Sequence, residues 1–419
     1  MMRIIKKIAK KILKMAYRLF LFIFLFVVLV PLAAICGVYR CFQKRPVMPR
    51  RVFIGGAEIA NNIGSLQNVL ENNGIMVRTL KSHDNYFYGE CPAPHKGRWL
   101  GLQKRFDRFV NLIWALAIAD QVWLIWHKSF LRYNLDYVLF KISKVDFVVM
   151  HCGDDVRCRH LHDFIFEKYA PNSKLFGYVP TRKKDILQKF YRQWMGETFA
   201  KVVSSRHQST FQISPIGRAY YCQPELLAKP KKANDVPVLL HAPSNRQTKK
   251  TDIVLQAIKI LHDKGLNFTF VLLEQVKNKH VLEQLLTTDI LIDQPTAWTG
   301  RLGVEAAASS CAVISGNNYE FMAYPSSPFM EFQPDATRLA ETIEILLLDH
   351  SLLNEKMVAS WQYWRENYSE EAFMLLYKTI WDSSYPKFSP LVDQKQLLLS
   401  GAADRFEKLL IKVLYHPCQ

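Results

Sequence analysis

The chain has 419 residues, room for two domains of ordinary size and an appendage. A formal net charge of +18 suggests a nucleic-acid binder, but twelve Lys and Arg and no acidic residue fall within residues 1–51, leaving only +6 on the rest. The basicity belongs to one end, so nucleic acid is excluded as the partner of the globular part. The eight cysteines show no CxxC pair and no metal-ligand spacing, which reads as reduced, cytoplasmic thiols.

Residues 1–18 place Ile4, Ile5, Ile8, Ile12 and Met15 on one helical face and Lys6, Lys7, Lys10, Lys11 and Lys14 on the other. A basic amphipathic helix of this kind lies on anionic lipid. Residues 19–38 follow as an uncharged run of 20, about the length that crosses a hydrocarbon core. Arg40, Lys44, Arg45, Arg50 and Arg51 make the far flank basic too, and Pro31 could kink the run into a re-entrant helix, so spanning and re-entrant forms both stay open. The expectation is a membrane-anchored protein with its globular domains on the cytoplasmic face of an inner membrane. A cleaved signal peptide and a Golgi-type anchor, the latter compatible with sequons at Asn267 and Asn367, are the rival readings.

Residues 51–227 form the first expected domain. Arg51 to Gly56 reads as a strand, the stretch through Ile63, Leu66, Val69 and Leu70 as a helix, and Met76 to Leu80 as a second strand: one Rossmann-like unit. Gly55 and Gly56 lack the remaining spacing of a dinucleotide fingerprint, which argues against NAD. Between Lys96 and Arg108, Trp99, Leu100 and Phe106 are mixed with cations, a pattern suited to a membrane surface or to an ordinary basic helix. Two further strands, Asp120 to Trp126 and Val145 to Met150, follow, the second running into His151-Cys152-Gly153-Asp154-Asp155-Val156-Arg157. A strand-end His, carboxylate and Arg can bind hydroxyls or phosphate and handle protons, or can merely lock a loop.

Residues 228–237, with prolines, lysines and no apolar period, read as a linker. The second domain, 238–381, opens with the strand Val238 to Leu240 and a turn carrying Ser244, Asn245, Arg246, Lys249 and Lys250. A helix then starts near Thr251 or Asp252, with one of them as its cap. Cations beside a helix N-terminus suit a diphosphate, although a solvated basic turn has the same composition. Strands Phe268 to Leu273 and Asp289 to Gln294 lead to Trp298-Thr299-Gly300-Arg301-Leu302-Gly303 and the small-residue helix Glu305 to Ala308. Glycines allow close approach to a ligand, and a carboxylate here could accept ribose hydroxyls.

HAPSNRQTKKT, DILIDQ, WTGRLGVEAAA and CAVIS together resemble the donor-binding half of GT-B glycosyltransferases of the retaining group 1, family 4 type. The resemblance covers roughly Arg51 to Trp381 and implies an α/β fold of two Rossmann-like domains with a cleft between them, plus an N-terminal membrane helix. It implies that Arg246 and Lys249 hold the nucleotide diphosphate, Gly300 closes on the donor and Glu305 holds the ribose. His151 and Asp155 become the catalytic candidates facing the sugar, from a match to HxHGSDxR, and Gly55, Gly56 and Arg157 the acceptor or cleft residues. A helix near Glu370 to Trp381 should cross back to the first domain.

The departures are specific. Lys250 replaces the glycine of the family's KGT, Ser310-Cys311-Ala312 replaces GKP, and Ala297 stands where the paired-glutamate motif has its first Glu. The expected partners are a nucleotide sugar, membrane lipid and a lipid-linked or envelope glycan acceptor, with no cofactor and no metal strictly required. The expected activity is hexosyl transfer from a nucleotide sugar to a glycolipid or polysaccharide precursor. A catalytically inactive GT-B scaffold binding a partner or glycan at the membrane is the alternative, and a sugar-nucleotide epimerase a third reading. The tail, 382–419, lies outside the resemblance; its Leu397, Phe406, Leu409, Leu410 and Val413 could line an amphipathic helix.

Overall fold

The computed structural model describes residues 23–58, 61–81, 98–126, 129–153, 155–158, 161, 183–204, 226–294, 300–316, 327–385 and 404–415. The expected basic helix over 1–18, Asp154, Ala297, Trp298, Thr299 and Leu397 lie outside those residues.

Strands β1 (Arg51–Gly56), β2 (Met76–Lys81), β3 (Gln121–Ile125), β4 (Asp146–Met150) and β5 (Lys201–Val203) form an all-parallel sheet in the order β2-β1-β3-β4-β5. Strands β6 (Val238–His241), β7 (Thr269–Leu272), β8 (Ile290–Ile292), β9 (Ala312–Ser315) and β10 (Met330–Glu331) repeat that order in a second parallel sheet, β7-β6-β8-β9-β10. The expected strands are therefore present in both halves. Two Rossmann-like units make the α/β, GT-B architecture that the resemblance implied.

The β residues are apolar on consecutive positions because helices cover both faces. Side chains alternate across the first sheet. Val52, Ile54 and Trp123 pack with α2 (Asn62–Asn72) on one side. Phe53, Val122 and Leu124 pack on the other with α3 (Arg98–Ala117), α4 (Leu135–Ser143) and α5 (Lys183–Phe199). The second sheet is built alike: Leu239 and Ile290 face α7 (Thr251–Asp263) and α10 (Ala336–Leu348), whereas Leu240 and Leu291 face α8 (Asn278–Leu285), α9 (Arg301–Ala308) and α11 (His350–Tyr368). A four-residue turn of helix, α6 (Arg246–Lys249), precedes α7.

The apolar N-terminal segment is helical: a π turn, Leu25–Leu29, leads into α1 (Val30–Phe42). Pro31 lacks an N–H, and the wide turn just before it accommodates the missing bond. Leu25–Phe42 is 18 residues of mean hydropathy 2.2, long and apolar enough to cross a membrane by length and composition. The helix packs along the first unit: Leu29, Ala33 and Gly37 face it, and a Cβ at Gly37 would come within 2.2 Å of the Ile142 carbonyl oxygen.

Helix α12 (Glu370–Asp382) returns to the first unit, as the resemblance implied. Phe373, Tyr377 and Ile380 enter its core, each contributing about 1.5–3 kcal/mol by burial. The Tyr377 hydroxyl donates to Gln121 Oε1 at 2.5 Å, and the Trp381 indole N–H to the Pro46 carbonyl at 3.0 Å. In the tail, α13 (Arg405–Tyr415) packs on α5. Asp404 and Glu407 accept each other's backbone N–H at its start, both at 2.9 Å, a reciprocal cap. Leu410 is buried there, while Phe406, Leu409 and Val413 remain exposed.

Candidate functional site

In a sheet of order 2-1-3-4-5, the crevice where strand order reverses opens at the C-terminal ends of the first and third strands. Each unit has one such crevice, and its local residues distinguish the two.

In the first unit, β1 ends in Gly55 and Gly56. At Gly56, φ is +137°, and a Cβ would fall 2.1 Å from the Ile125 carbonyl oxygen, so the glycine is required by the neighbouring strand. At Gly55, a Cβ would meet the Phe53 ring at 2.8 Å. Just beyond lies Glu58, buried, whose carboxylate accepts the backbone N–H groups of Ile63 and Gly64 at 3.2 Å each and pairs with Lys81 at 3.5 Å. The positive end of α2 is thus already met by a side-chain anion. A phosphate has no such opening there.

His151 follows β4 with its side chain fully buried. Its Nδ1 lies 3.1 Å from Asp155 Oδ2, while Asp155 Oδ1 accepts the N–H groups of Cys152 at 3.2 Å and Gly153 at 2.9 Å. Arg157 is also buried. Helix α5 fixes this loop from behind: Arg192 donates to the Asp155 carbonyl at 3.0 Å, Gln193 to that of Val156 at 2.9 Å and Lys189 to that of Arg157 at 2.6 Å.

In the second unit, the stretch after β6 carries cations instead of a carboxylate. Asn245 caps α6, accepting the Thr248 N–H at 3.0 Å, and thereby aligns Arg246 and Lys249. Lys250 takes φ +54°, the left-handed conformation for which the family pattern supplies glycine, and Ser310 does likewise at φ +53° where GKP begins. The sequence departs from the pattern at both positions while the backbone keeps the conformation. Lys250 is also the residue before the first turn of α7, so neither Thr251 nor Asp252 is its cap. The Thr251 hydroxyl instead bonds His241 Nε2 at 3.0 Å, and His241 Nδ1 donates to the Ile292 carbonyl at 2.7 Å. Burial lowers the His241 pKa to about 4, which keeps the ring neutral and locks β6 to β8.

Arg246 is half exposed and bonds both oxygens of Glu274, at 3.2 and 2.9 Å. Lys249 is mostly buried and pairs with the fully buried Asp293, which directly follows β8. The other oxygen of Asp293 accepts the Gly300 N–H at 3.2 Å and lies 3.4 Å from the Ser315 hydroxyl. Glu305, buried on α9, accepts Arg301 Nε at 3.0 Å and Asn278 Nδ2 at 3.0 Å. Arg301 also reaches the first unit, donating to the Ser65 hydroxyl at 2.7 Å.

The structure therefore gathers Arg246, Lys249, Gly300 and Glu305 around the switch point of the second sheet, and sets His151, Asp155 and Arg157 as a sealed loop in the first. Sequence pattern alone gives no role to Glu274, Asp293, Asn278, Arg301, Ser65 or Glu58. Glu274 and Asp293 follow strand ends, the one signal that could have marked them. Among the described residues, no cluster of three His, Cys, Asp or Glu is placed to hold a metal, and Cys36, Cys41, Cys152, Cys158 and Cys311 are free thiols.

No protein-family model matches the chain, and neither does any curated protein. Among solved structures, HepE of Anabaena in complex with UDP is 12% identical over 80% of this chain and 99% of that one, with a TM-score of 0.47. A UDP-glucosyltransferase from Polygonum tinctorium, capable of glucosylating indoxyl, is 10% identical over 81% and 100% of the two chains, TM-score 0.40. TarM of S. aureus, in complex with UDP and alpha-GlcNAc-glycerol, is 13% identical over 65% and 59%, TM-score 0.38.

Proposed function

We propose that this protein is a membrane-attached glycosyltransferase that moves a sugar from a nucleotide donor to a glycolipid or polysaccharide-precursor acceptor. The observation that carries it is the convergence of two cations, a glycine turn and a buried carboxylate at the switch point of the second sheet. Arg246 and Lys249 neutralise the diphosphate as it departs, which matters most when closure excludes water. Both cations rest on carboxylates, Glu274 and Asp293, that hold them in place until the phosphates arrive. Glu305 accepts ribose hydroxyls after exchanging one of its present donors. Gly300, tied to Asp293, lets the α9 N-terminus approach the donor.

His151 and Asp155 act here as positioning residues. Asp155 orients the ring and gathers the loop amides, so that the loop after β4 presents a fixed surface to the cleft. Retention of anomeric configuration belongs to the same reading through the family resemblance, as does the acceptor class through the apolar helix.

The test is donor-dependent release of nucleoside diphosphate by detergent-solubilised protein, across a panel of nucleotide sugars with membrane extract as acceptor, beside Arg246→Ala and Glu305→Ala. Release that requires extract and vanishes in both variants is expected. Nucleotide binding without turnover would transfer the assignment to an inactive scaffold, and no nucleotide binding at all would remove the donor site.

A further inference from the structure

We propose that the outer face of α1 and a basic cavity at its end form one membrane-docking surface, in which the helix lies in the bilayer interface and the cavity takes the phosphate of an anionic lipid headgroup.

The helix is fastened to the first unit along its length. Leu29, Ala33 and Gly37 recur every four residues on its inner side against α3 and α4. At its end, the Arg40 guanidinium donates to the Ser143 and Ala119 carbonyls, each at 2.8 Å, closing the C-termini of α4 and α3. Crossing a bilayer in this arrangement would carry the charged side chains of α3 and α4 to hydrocarbon depth, which is costly. Lying in the interface leaves those charges in water. The outer side suits that position: Ile35, Val38 and Tyr39 are exposed, and Phe42 is 85% exposed.

A cavity of about 660 Å³ begins where the helix ends, at the N-terminal edge of the first sheet. Arg40, Lys44 and Arg45 line it from the helix side, and Lys141, Lys144 and Lys201 from the sheet side, against Asp120, Asp146 and Glu197. Three of the six cations already have partners. Arg40 holds the two carbonyls above. Lys201 bonds Asp146 at 2.7 Å and the Ile380 carbonyl at 2.6 Å. Arg45 bonds the Trp381 carbonyl and lies 4.1 Å over its ring. Two of the acids are likewise engaged, Asp146 by Lys201 and Asp120 by the N–H groups of Arg50 and Arg51 and the Arg51 guanidinium.

Lys44, Lys141 and Lys144 are exposed and form no ion pair with a described residue. Arg40, Arg45 and Lys201 meet the carbonyls that end α3, α4 and α12, and the remaining three ammonium groups are available to a ligand. Three point charges with rotatable donors match a phosphate ester. Phe42 directly precedes the lining residues Gln43, Lys44 and Arg45, and Val47 follows Pro46, so exposed apolar side chains adjoin the basic lining along the chain, and that continuity selects a lipid over a free phosphate.

The surface lies at the opposite edge of a different sheet from the candidate donor site, so its failure leaves the donor reading untouched. The full chain is floated with vesicles of phosphatidylcholine alone and with added phosphatidylglycerol. Changing Lys44, Lys141 and Lys144 together to Gln should weaken binding to the anionic vesicles by roughly a hundredfold, at about fivefold per lysine near such a surface, and leave binding to neutral vesicles unchanged. Ile35→Ser with Val38→Ser and Phe42→Ser should weaken both. Circular dichroism verifies that the variants are folded. Two results overturn the proposal: wild-type affinity of the triple Lys variant for anionic vesicles, with the preference abolished instead by Lys6, Lys7, Lys10, Lys11 and Lys14 changed to Gln; or full competition by inorganic phosphate, which would make the site one for the free ion.

Discussion

Lys249 and Asp293 allow a structural role and a ligand-binding role to be separated. Asp293 is completely buried and Lys249 11% exposed, so Lys249→Met strands an anion in the interior. Removing one partner of a buried pair costs about 3–5 kcal/mol. The Gly300 N–H and the Ser315 hydroxyl still serve the carboxylate, which places the loss at the lower end, about 3 kcal/mol. Asp293→Asn in the same chain removes the stranded charge and should return stability to within about 1 kcal/mol of wild type. Binding of a nucleoside diphosphate should behave otherwise. A charge-assisted bond to phosphate is worth about 1.5–3 kcal/mol, so both the single and the double variant should bind roughly tenfold to a hundredfold more weakly. Urea denaturation measures the first quantity and titration calorimetry the second. Wild-type nucleotide affinity in the double variant, or no loss in Lys249→Met, would make Lys249 a structural cation and refute its assignment to the donor.

Lys250→Gly should stabilise the protein by up to about 1 kcal/mol, read as a higher Tm, because φ +54° strains a side chain and not a glycine; an unchanged or lower Tm contradicts the strain. The two units should also respond oppositely to acid. His241, with a folded pKa lowered to about 4, resists protonation that the unfolded chain accepts below about 6.5, so the second unit loses stability as pH falls. Asp136, whose pKa burial raises to about 7, is favoured protonated in the fold, so the first unit gains stability over the same range. Between pH 6.5 and 5, each effect amounts to about 1–2 kcal/mol by linkage. Hydrogen exchange resolved by unit should show opposite changes, removed by His241→Gln and Asp136→Asn respectively.

The second sheet was legible because its strands are short apolar runs bounded by turn residues, and its charged turn falls right after the first of them. Identity alone misled at Lys250 and Ser310, where the sequence lacks glycine but the backbone conformation persists. Partners of charges were not legible: Glu274 and Asn278 lie 28 and 27 residues from Arg246 and Glu305, and only folding brings them together. For His151, sequence pattern suggested a side chain presented to ligand. The structure buries it, because Asp155 is bound by two backbone N–H groups as well as the ring and draws the loop inward. Glu58 shows the limit most plainly, since nothing in its neighbours announces that a carboxylate will close the end of α2. The length of the apolar helix was apparent, but its attachment to the first unit depends on Gly37 meeting Ile142, a contact between positions 105 residues apart.

The return of α12 bears on how the protein comes to be made. The first sheet is complete by Val203, yet the face carrying Val52, Ile54 and Trp123 is sealed by Phe373, Tyr377 and Ile380. A nascent chain that has emerged only as far as the second unit leaves the part of that face not covered by α2 open, and the indole of Trp123 without the ring that stacks on it at 6.1 Å. The unit that begins folding first is therefore the one that finishes last, and until synthesis passes residue 380 it is the more prone to aggregate and the more dependent on chaperones.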